Sequence, residues 1–215
     1  MLEWSGCAYS QTYSKCNRAN CQLFLPYFER CRIVDTIFTL FERRGHAAYF
    51  GEPVSQLEHA LQTAHQADQK GAPDYLIVAA LLHDIGHLLH GMPEDIAALG
   101  VDGQHQEVGA AWLVRHFPIA VTEPIRLHVA AKRYLCTVDD TYRQQLSPAS
   151  VQSLAVQGGV MDAAEVQHFK RWGWWCEAVW LRRLDDAAKI PGLQVPGFED
   201  YRILLQALSR KGQRV

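Results

Sequence analysis

A nearly continuous apolar run in the middle of the chain contains three histidines and an aspartate. The run YLIVAALLHDIGHLLHG begins at Tyr75 and includes His83, Asp84 and His87. Apolar residues cover nearly every face of about four helical turns, so we expect one central buried helix. Burying an unpaired carboxylate costs free energy of folding, unless the group takes up a proton. A divalent cation bound by imidazole and carboxylate compensates the buried negative charge. The run therefore predicts a buried metal site.

The rest of the sequence indicates more helices and no strands. Apolar residues at helical spacing begin at Ile33. Ser55 stands three residues before Glu58, a capping-box pattern, and the helix that it starts is expected to end at Gly71. No strand-type alternation is present, and residues 49–53 are interpreted as a loop. Further helical patterns occur at residues 105–116, 122–133 and 162–188. We expect an all-α fold.

Composition and charge are those of an ordinary globular protein. Of the 215 residues, 48% are hydrophobic and 20% are charged, and the formal net charge is −2. This balance lacks the basic surplus of nucleic-acid-binding proteins, so we expect no nucleic-acid partner. No run reaches the roughly 18 apolar residues of a membrane span, and the N-terminus lacks a signal-peptide pattern. We therefore expect no membrane association and a cytoplasmic location; the oligomeric state is not indicated.

One domain accounts for most of the chain. We predict an N-terminal extension of unknown role at residues 1–31, a helical domain at 32–208 and a tail at 209–215. Four of the six cysteines lie in the extension, and they are spaced too loosely for a zinc knuckle. We interpret the cysteines as scattered free thiols.

Isolated polar residues in other helical segments could complete a metal site with the central pair. They are His59, His105, His128 and Asp185. Each buried histidine alone is more often a hydrogen-bonded core residue than a ligand. Their order around the adjacent pair His83-Asp84 nevertheless predicts a metal site assembled from several helices.

This pattern resembles the HD superfamily of metal-dependent enzymes, which is named after an adjacent histidine and aspartate. The resemblance implies an HD-domain helical bundle, and the two additional histidines imply that its buried metal site is dinuclear. By the same resemblance one metal is bound by His59, His83 and Asp185, the second by His105 and His128, and Asp84 bridges both.

The sequence is most similar to an oxygenase branch of that superfamily. The branch includes myo-inositol oxygenase and the enzyme that cleaves 2-amino-1-hydroxyethylphosphonate. The motif HVAAKRY from His128 and the Tyr49-x-x-Glu52 element carry this resemblance. It implies two iron ions in a mixed-valent Fe(II)/Fe(III) pair, with dioxygen as co-substrate. The implied reaction cleaves the carbon–phosphorus bond of that organophosphonate, or of its N-methylated analogue, to phosphate and a carboxylic acid.

The resemblance also assigns roles around the metals. Asp84 and His87 would be catalytic, and His87 would touch the substrate. Tyr49 and Glu52 would form a lid in which the carboxylate of Glu52 receives the substrate ammonium. Lys132 lies four residues after His128, on the same helical face, and would anchor the phosphonate. Ser150 would contact the phosphonate, although a helix N-cap explains this residue equally well.

Other functions remain open from the sequence. An HD-type phosphohydrolase acting on a small phosphoester or nucleotide would use the same two metals to activate water. A catalytically silent signalling module fits poorly with a complete ligand set. Four tryptophans near the C-terminus are interpreted as core packing rather than as a cage for a cation; they are Trp172, Trp174, Trp175 and Trp180.

Overall fold

The computed structural model describes residues 27–49, 51–90 and 99–209, and these form a helical bundle with one small hairpin. The first elements are α1 (Tyr27–Arg44), β1 (Ala48–Tyr49), β2 (Glu52–Ser55), α2 (Gln56–Gln69), α3 (Asp74–Leu82) and α4 (Ile85–His90). The later helices are α5 (His105–Leu113), α6 (Ile119–Val138), α7 (Asp140–Gln144), α8 (Pro148–Val156), α9 (Ala163–Phe169), α10 (Trp175–Ala187) and α11 (Arg202–Leu208), with a 3-10 turn at Phe198–Tyr201. The expected all-α class is confirmed.

Helix α1 begins earlier than the sequence pattern indicates. It starts at Tyr27, whereas we expected the helix from Ile33, where the regular apolar spacing begins. Ile33 and Val34 are buried against the core. Residues 1–26 of the predicted extension and residues 210–215 of the predicted tail lie outside the described residues. Among the described residues, no helix combines the length and the hydrophobicity that crossing a bilayer requires.

Helix α2 starts at the predicted capping box. The Ser55 hydroxyl accepts a hydrogen bond from the Glu58 N–H at 3.2 Å, and the Glu58 carboxylate accepts one from the Ser55 N–H at 2.7 Å. These two bonds satisfy N–H groups that the first helical turn leaves unpaired. The buried face of the helix carries His59, so a local sequence signal fixes the position of one candidate ligand.

The central apolar run forms two helices rather than the single helix that we expected. Helix α3 ends at Leu82, and α4 begins at Ile85, with His83 and Asp84 in the turn between them. At this turn the His87 N–H bonds to the Asp84 carbonyl, three residues back, at 3.0 Å. His83 and Asp84 both face the same cluster from this turn, with His83 Nε2 3.3 Å from Asp84 Oδ2.

The remaining helices surround α3. Helix α6 packs against α3, α5 and α10, and α2 packs against α3 and α10. Helix α6 is longer than the predicted 122–133, and the predicted helix at 162–188 is divided into α9 and α10 by residues 170–174. The three candidate ligands that follow α4 in the chain are His105 on α5, His128 on α6 and Asp185 on α10. All three therefore belong to helices packed around one core.

The segment that we predicted as a loop contains a short antiparallel hairpin. Tyr49 of β1 pairs with Glu52 of β2, and Ala48 pairs with Ser55. The turn contains Gly51 with φ +76°, a conformation that glycine adopts without strain. Strands of two and four residues are too short to produce a recognisable alternation. The hairpin leads directly into α2 and holds Tyr49 and Glu52 beside the candidate ligands.

Two expectations about side chains in the C-terminal half are only partly met. Trp180 is buried as expected, but Trp172 is 41% exposed and the Arg126 guanidinium lies 4.5 Å from its ring centroid. The interpretation as core packing is therefore wrong for Trp172. Cys136 is a buried free thiol, whereas Cys176 is in a disulfide, so the prediction of free thiols is wrong for Cys176.

Candidate metal centre

The first group of candidate ligands combines α2, the turn after α3, and α10. The Nε2 atoms of His59 and His83 are 3.1 Å apart, and Asp185 Oδ1 lies 3.3 Å from His59 Nε2. Asp185 Oδ2 lies 3.8 Å from His83 Nε2. All three residues are buried, and one ligand atom of each lies within 4.8 Å of the others. A single metal ion could therefore bind all three.

The second group combines the same turn with α5 and α6. Asp84 Oδ1 lies 3.3 Å from His105 Nε2 and 3.6 Å from His128 Nε2. The two histidine Nε2 atoms are 3.1 Å apart. These three residues are also buried and equally close. The structure thus brings together all six residues that we predicted as ligands, in two groups of three.

Asp84 faces both groups, one with each carboxylate oxygen. Its Oδ2 lies 3.3 Å from His83 Nε2 and 3.7 Å from His59 Nε2, in the first group. Its Oδ1 faces His105 and His128, in the second. This arrangement is what a bridging carboxylate requires, because each oxygen can bind a different ion.

The protonation pattern of the histidines fits metal binding. His59, His83 and His128 each place Nδ1 at 2.6 to 2.9 Å from a backbone carbonyl oxygen, which can only accept, so these Nδ1 atoms carry protons. In the neutral rings the Nε2 atoms are then lone-pair acceptors. The Nε2 atoms of His59 and His83 face each other in this way at 3.1 Å, so they need a cation or a proton between them. A metal ion in the first group would supply that cation.

The charges around the ligands favour deprotonated carboxylates. Burial lowers the pKa of His83, but without a metal ion the charge of Asp84 more than offsets this effect and raises that pKa to about 9. Burial raises the pKa of Asp84, but the charge of His83 and the contacts with His105 more than offset it and hold that pKa well below its usual range. Burial acts in the same way on Asp185, whose pKa is held well below its usual range chiefly by Arg182. Arg182 is buried, and its Nη1 lies 2.7 Å from Asp185 Oδ2. Carboxylates in this state are ready to bind a metal ion.

A cavity of about 320 Å³ opens beside the second ligand group. Its lining includes all three residues of the second group. It also includes every residue predicted to touch substrate: Tyr49, Glu52, His87, Lys132 and Ser150. The volume lies at the small end of the range for ligand pockets. The structure therefore brings the predicted substrate residues together at one side of the metal centre.

His87 lies beside the ligands without belonging to either group. Its ring stacks on that of His105, with 3.9 Å between the centroids and 22° between the planes. The side chain is half-buried and lines the cavity. This position suits a contact with substrate, as we predicted from the resemblance.

Lys132 is not a solvated surface lysine, since it is only 2% exposed. Its Nζ donates a 2.7 Å hydrogen bond to the Ser153 hydroxyl. Burial, followed by the charge of Arg182, lowers the pKa of Lys132 to about 7. A buried cation at the cavity wall is well placed to receive an anion.

The alternative explanation for Ser150, a helix N-cap, is wrong. Ser147 is the N-cap of α8, and its hydroxyl accepts the Ser150 N–H at 3.1 Å. The Ser150 hydroxyl instead accepts a hydrogen bond from Lys189 Nζ at 3.2 Å, inside the cavity. The side chain is buried, so it is available to the site rather than to the helix end.

Two charged residues of the site were missed from the sequence. Arg182 contacts the ligand Asp185, and Lys189 lines the cavity and forms an ion pair with Glu52 at 3.0 Å. No helical spacing indicates Lys189, because it lies beyond Ala187, where α10 ends.

The helical bundle and the His83-Asp84 turn shared by two ligand groups define an HD-domain metalloprotein, and the HD domain family matches residues 56–135. Hydroxymethylphosphonate dioxygenase of Gimesia maris is 48% identical over 169 residues, which cover 78% of this chain and 84% of the relative. The [1-hydroxy-2-(trimethylamino)ethyl]phosphonate dioxygenase (glycine-betaine-forming) of Leisingera caerulea is 41% identical over 182 residues, 85% of this chain and 93% of the relative. The chain belongs to the HD-domain phosphonate dioxygenase branch, and it is an oxygenase.

Proposed function

We propose that the protein is an iron-dependent oxygenase that cleaves the carbon–phosphorus bond of a small 1-hydroxyphosphonate. The observation that carries this proposal is the position of Asp84 between two buried ligand groups, next to a cavity that also contains the cation of Lys132. The two relatives, each named as a dioxygenase of a hydroxylated phosphonate, support the same reaction class.

The proposed reaction balances with one dioxygen for each phosphonate. The carbon–phosphorus bond breaks, the hydroxylated carbon is oxidised to a carboxylic acid, and the phosphorus leaves as phosphate. One Fe(II) and one Fe(III) would bind the substrate oxygens and activate dioxygen. Histidine and carboxylate ligands suit iron, although they also suit other first-row metals, so the choice of iron rests on the family.

The residues of the chain would bind and orient the substrate. Lys132 would hold the phosphonate through its buried ammonium, with the Ser150 hydroxyl as a second donor. Tyr49, whose ring stacks on His59 at 4.0 Å between centroids, would cover the metals and exclude water. His87 would contact the substrate from the side of His105.

The substrate candidates differ at the end opposite the phosphonate. The sequence resemblance favours 2-amino-1-hydroxyethylphosphonate or its N-methylated analogue, which carry a cation. The relative from Gimesia maris is named for hydroxymethylphosphonate, which carries none. The members of this set share the 1-hydroxyphosphonate group, and the proposal of carbon–phosphorus cleavage applies to all of them.

The test is phosphate release from hydroxyphosphonates with and without dioxygen. Protein purified without oxygen and loaded with iron should consume about one dioxygen for each phosphate released, by the balance above. The same protein with Asp84→Ala is the control. Equal phosphate release under strict anaerobiosis, or activity confined to phosphoesters, would replace the oxygenase with a phosphohydrolase.

A further inference from the structure

Glu52 already has a cationic partner inside the cavity. Its Oε1 lies 3.0 Å from Lys189 Nζ and accepts a hydrogen bond from the Ser147 hydroxyl. The side chains of Glu52 and Lys189 are 11% and 12% exposed, so water screens the pair only weakly. A lysine of the protein itself therefore already balances the charge of the carboxylate that could receive a substrate ammonium.

The position of Lys189 is held by several contacts. Besides Glu52, its Nζ donates to the Ser150 hydroxyl at 3.2 Å and lies 4.0 Å from Asp186. The same Nζ is 5.9 Å from the centre of the Tyr49 ring. Lys189 lies two residues after the end of α10, whereas Glu52 begins β2, so the ion pair connects two walls of the cavity.

We infer that Lys189 is a specificity-determining residue, which occupies the ammonium site at Glu52 and selects hydroxyphosphonates without a cationic group. This inference rests on the proposed function and names its substrate class, of which hydroxymethylphosphonate is the smallest member. A substrate ammonium would have to displace a tethered lysine or lie beside it, and two adjacent cations repel each other in a weakly solvated cavity. An uncharged substituent meets neither obstacle.

The experiment compares two substrates across a set of variants. The parent protein should have a higher kcat/KM for hydroxymethylphosphonate than for 2-amino-1-hydroxyethylphosphonate. Lys189→Met keeps the length of the side chain and removes its charge, which leaves Glu52 unpaired and available to the substrate ammonium. We expect this variant to shift the selectivity ratio toward the amino substrate by about ten- to 100-fold, the range of a charge-assisted hydrogen bond.

Three more variants separate specificity from general damage. Lys189→Arg keeps the cation and should keep the parent selectivity. Glu52→Gln added to Lys189→Met removes the ammonium partner and should cancel the gain. Lys170→Met, at an exposed lysine of the described chain, is the matched control and should change nothing. Metal content and thermal unfolding check that each variant is folded, and Lys189→Gln substitutes for Lys189→Met if that variant is not.

The outcomes distinguish this inference from the proposed function. If the parent releases phosphate from hydroxymethylphosphonate but Lys189→Met weakens both substrates equally, Lys189 binds the phosphonate and the inference is wrong. A parent that prefers the amino substrate also overturns it. If the parent acts on no hydroxyphosphonate at all, the proposed function itself fails.

Discussion

The Tyr49 hydroxyl donates a 2.7 Å hydrogen bond to Asp84 Oδ2, the oxygen that faces the first ligand group. Burial, followed by the negative charge of Asp84, raises the pKa of Tyr49 well above its usual value. The phenol therefore stays protonated and remains a donor throughout the physiological range. Through this bond a residue of the hairpin orients the carboxylate shared by both candidate metals.

Tyr49→Phe should weaken metal binding while preserving the fold. The substitution keeps the ring stacked on His59 and removes only the hydroxyl that orients Asp84. Loss of such a supporting hydrogen bond typically costs about ten- to 100-fold in metal affinity or activity. Competition with a chelator measures the affinity. Tyr134→Phe, in an aromatic cluster with Phe169 and Trp175, is the control and should leave the affinity unchanged.

Asp84→Ala should lose both metals, whereas His105→Ala should mainly lose one. The reason is that Asp84 contributes one oxygen to each group, while His105 belongs only to the second. Elemental analysis of purified protein gives the metal content per chain. Two ions retained in Asp84→Ala would show that this carboxylate does not bridge.

Gly86→Ala should destabilise the protein and disturb the second ligand group. A Cβ at Gly86 would lie 1.9 Å from the carbonyl oxygen of His105, which is backbone and cannot move aside cheaply. We expect at least about 3 kcal/mol of lost stability and reduced metal content, since overpacking of this severity displaces helices. Gly109→Ala is the matched control because its Cβ would have 3.2 Å to the nearest atom. Urea unfolding of both variants measures the difference, and equal stability would contradict the prediction.

The contribution of Lys132 to kcat/KM should decrease as the pH rises. Its pKa is lowered to about 7, so the side chain is charged below that pH and neutral above it. Only the charged form attracts the phosphonate. The ratio of kcat/KM between the parent and Lys132→Met should therefore be large below about pH 7 and fall toward one above it. The ratio cancels the ionisation of the substrate, and an unchanged metal content in the variant shows that the lysine acts on substrate.

The grouping of the six candidate ligands could be predicted from their order along the chain and from the family resemblance, and the central pair gives the clearest signal. His83 and Asp84 are polar residues in a run that has no exposed face, and Ser55 with Glu58 sets the start of α2 by contacts within four residues. Local signals of this kind do not depend on how the helices pack against one another. The turn at His83 could not be predicted, because an apolar run has the same pattern whether it forms one helix or two.

The ion pair between Glu52 and Lys189 could not be predicted from sequence patterns. Glu52 and Lys189 are separated by 137 positions, and their ion pair exists only because the hairpin and the end of α10 meet at one cavity. The family resemblance implies that the carboxylate of Glu52 binds the substrate ammonium. In the structure this carboxylate instead contacts the ammonium of Lys189. Long-range ion pairs depend on tertiary packing, so the spacing of residues within one helix does not indicate them.

The first ligand group joins His59 near one end of the domain to Asp185 near the other. An ion bound there closes a loop of more than half the chain, so it acts as a reversible cross-link whose stabilising effect grows with the length of the loop. During synthesis this site stays incomplete until α10 has left the ribosome and docked. The second group needs no residue beyond His128, so the two sites differ in how much of the chain must be in place before they can bind an ion.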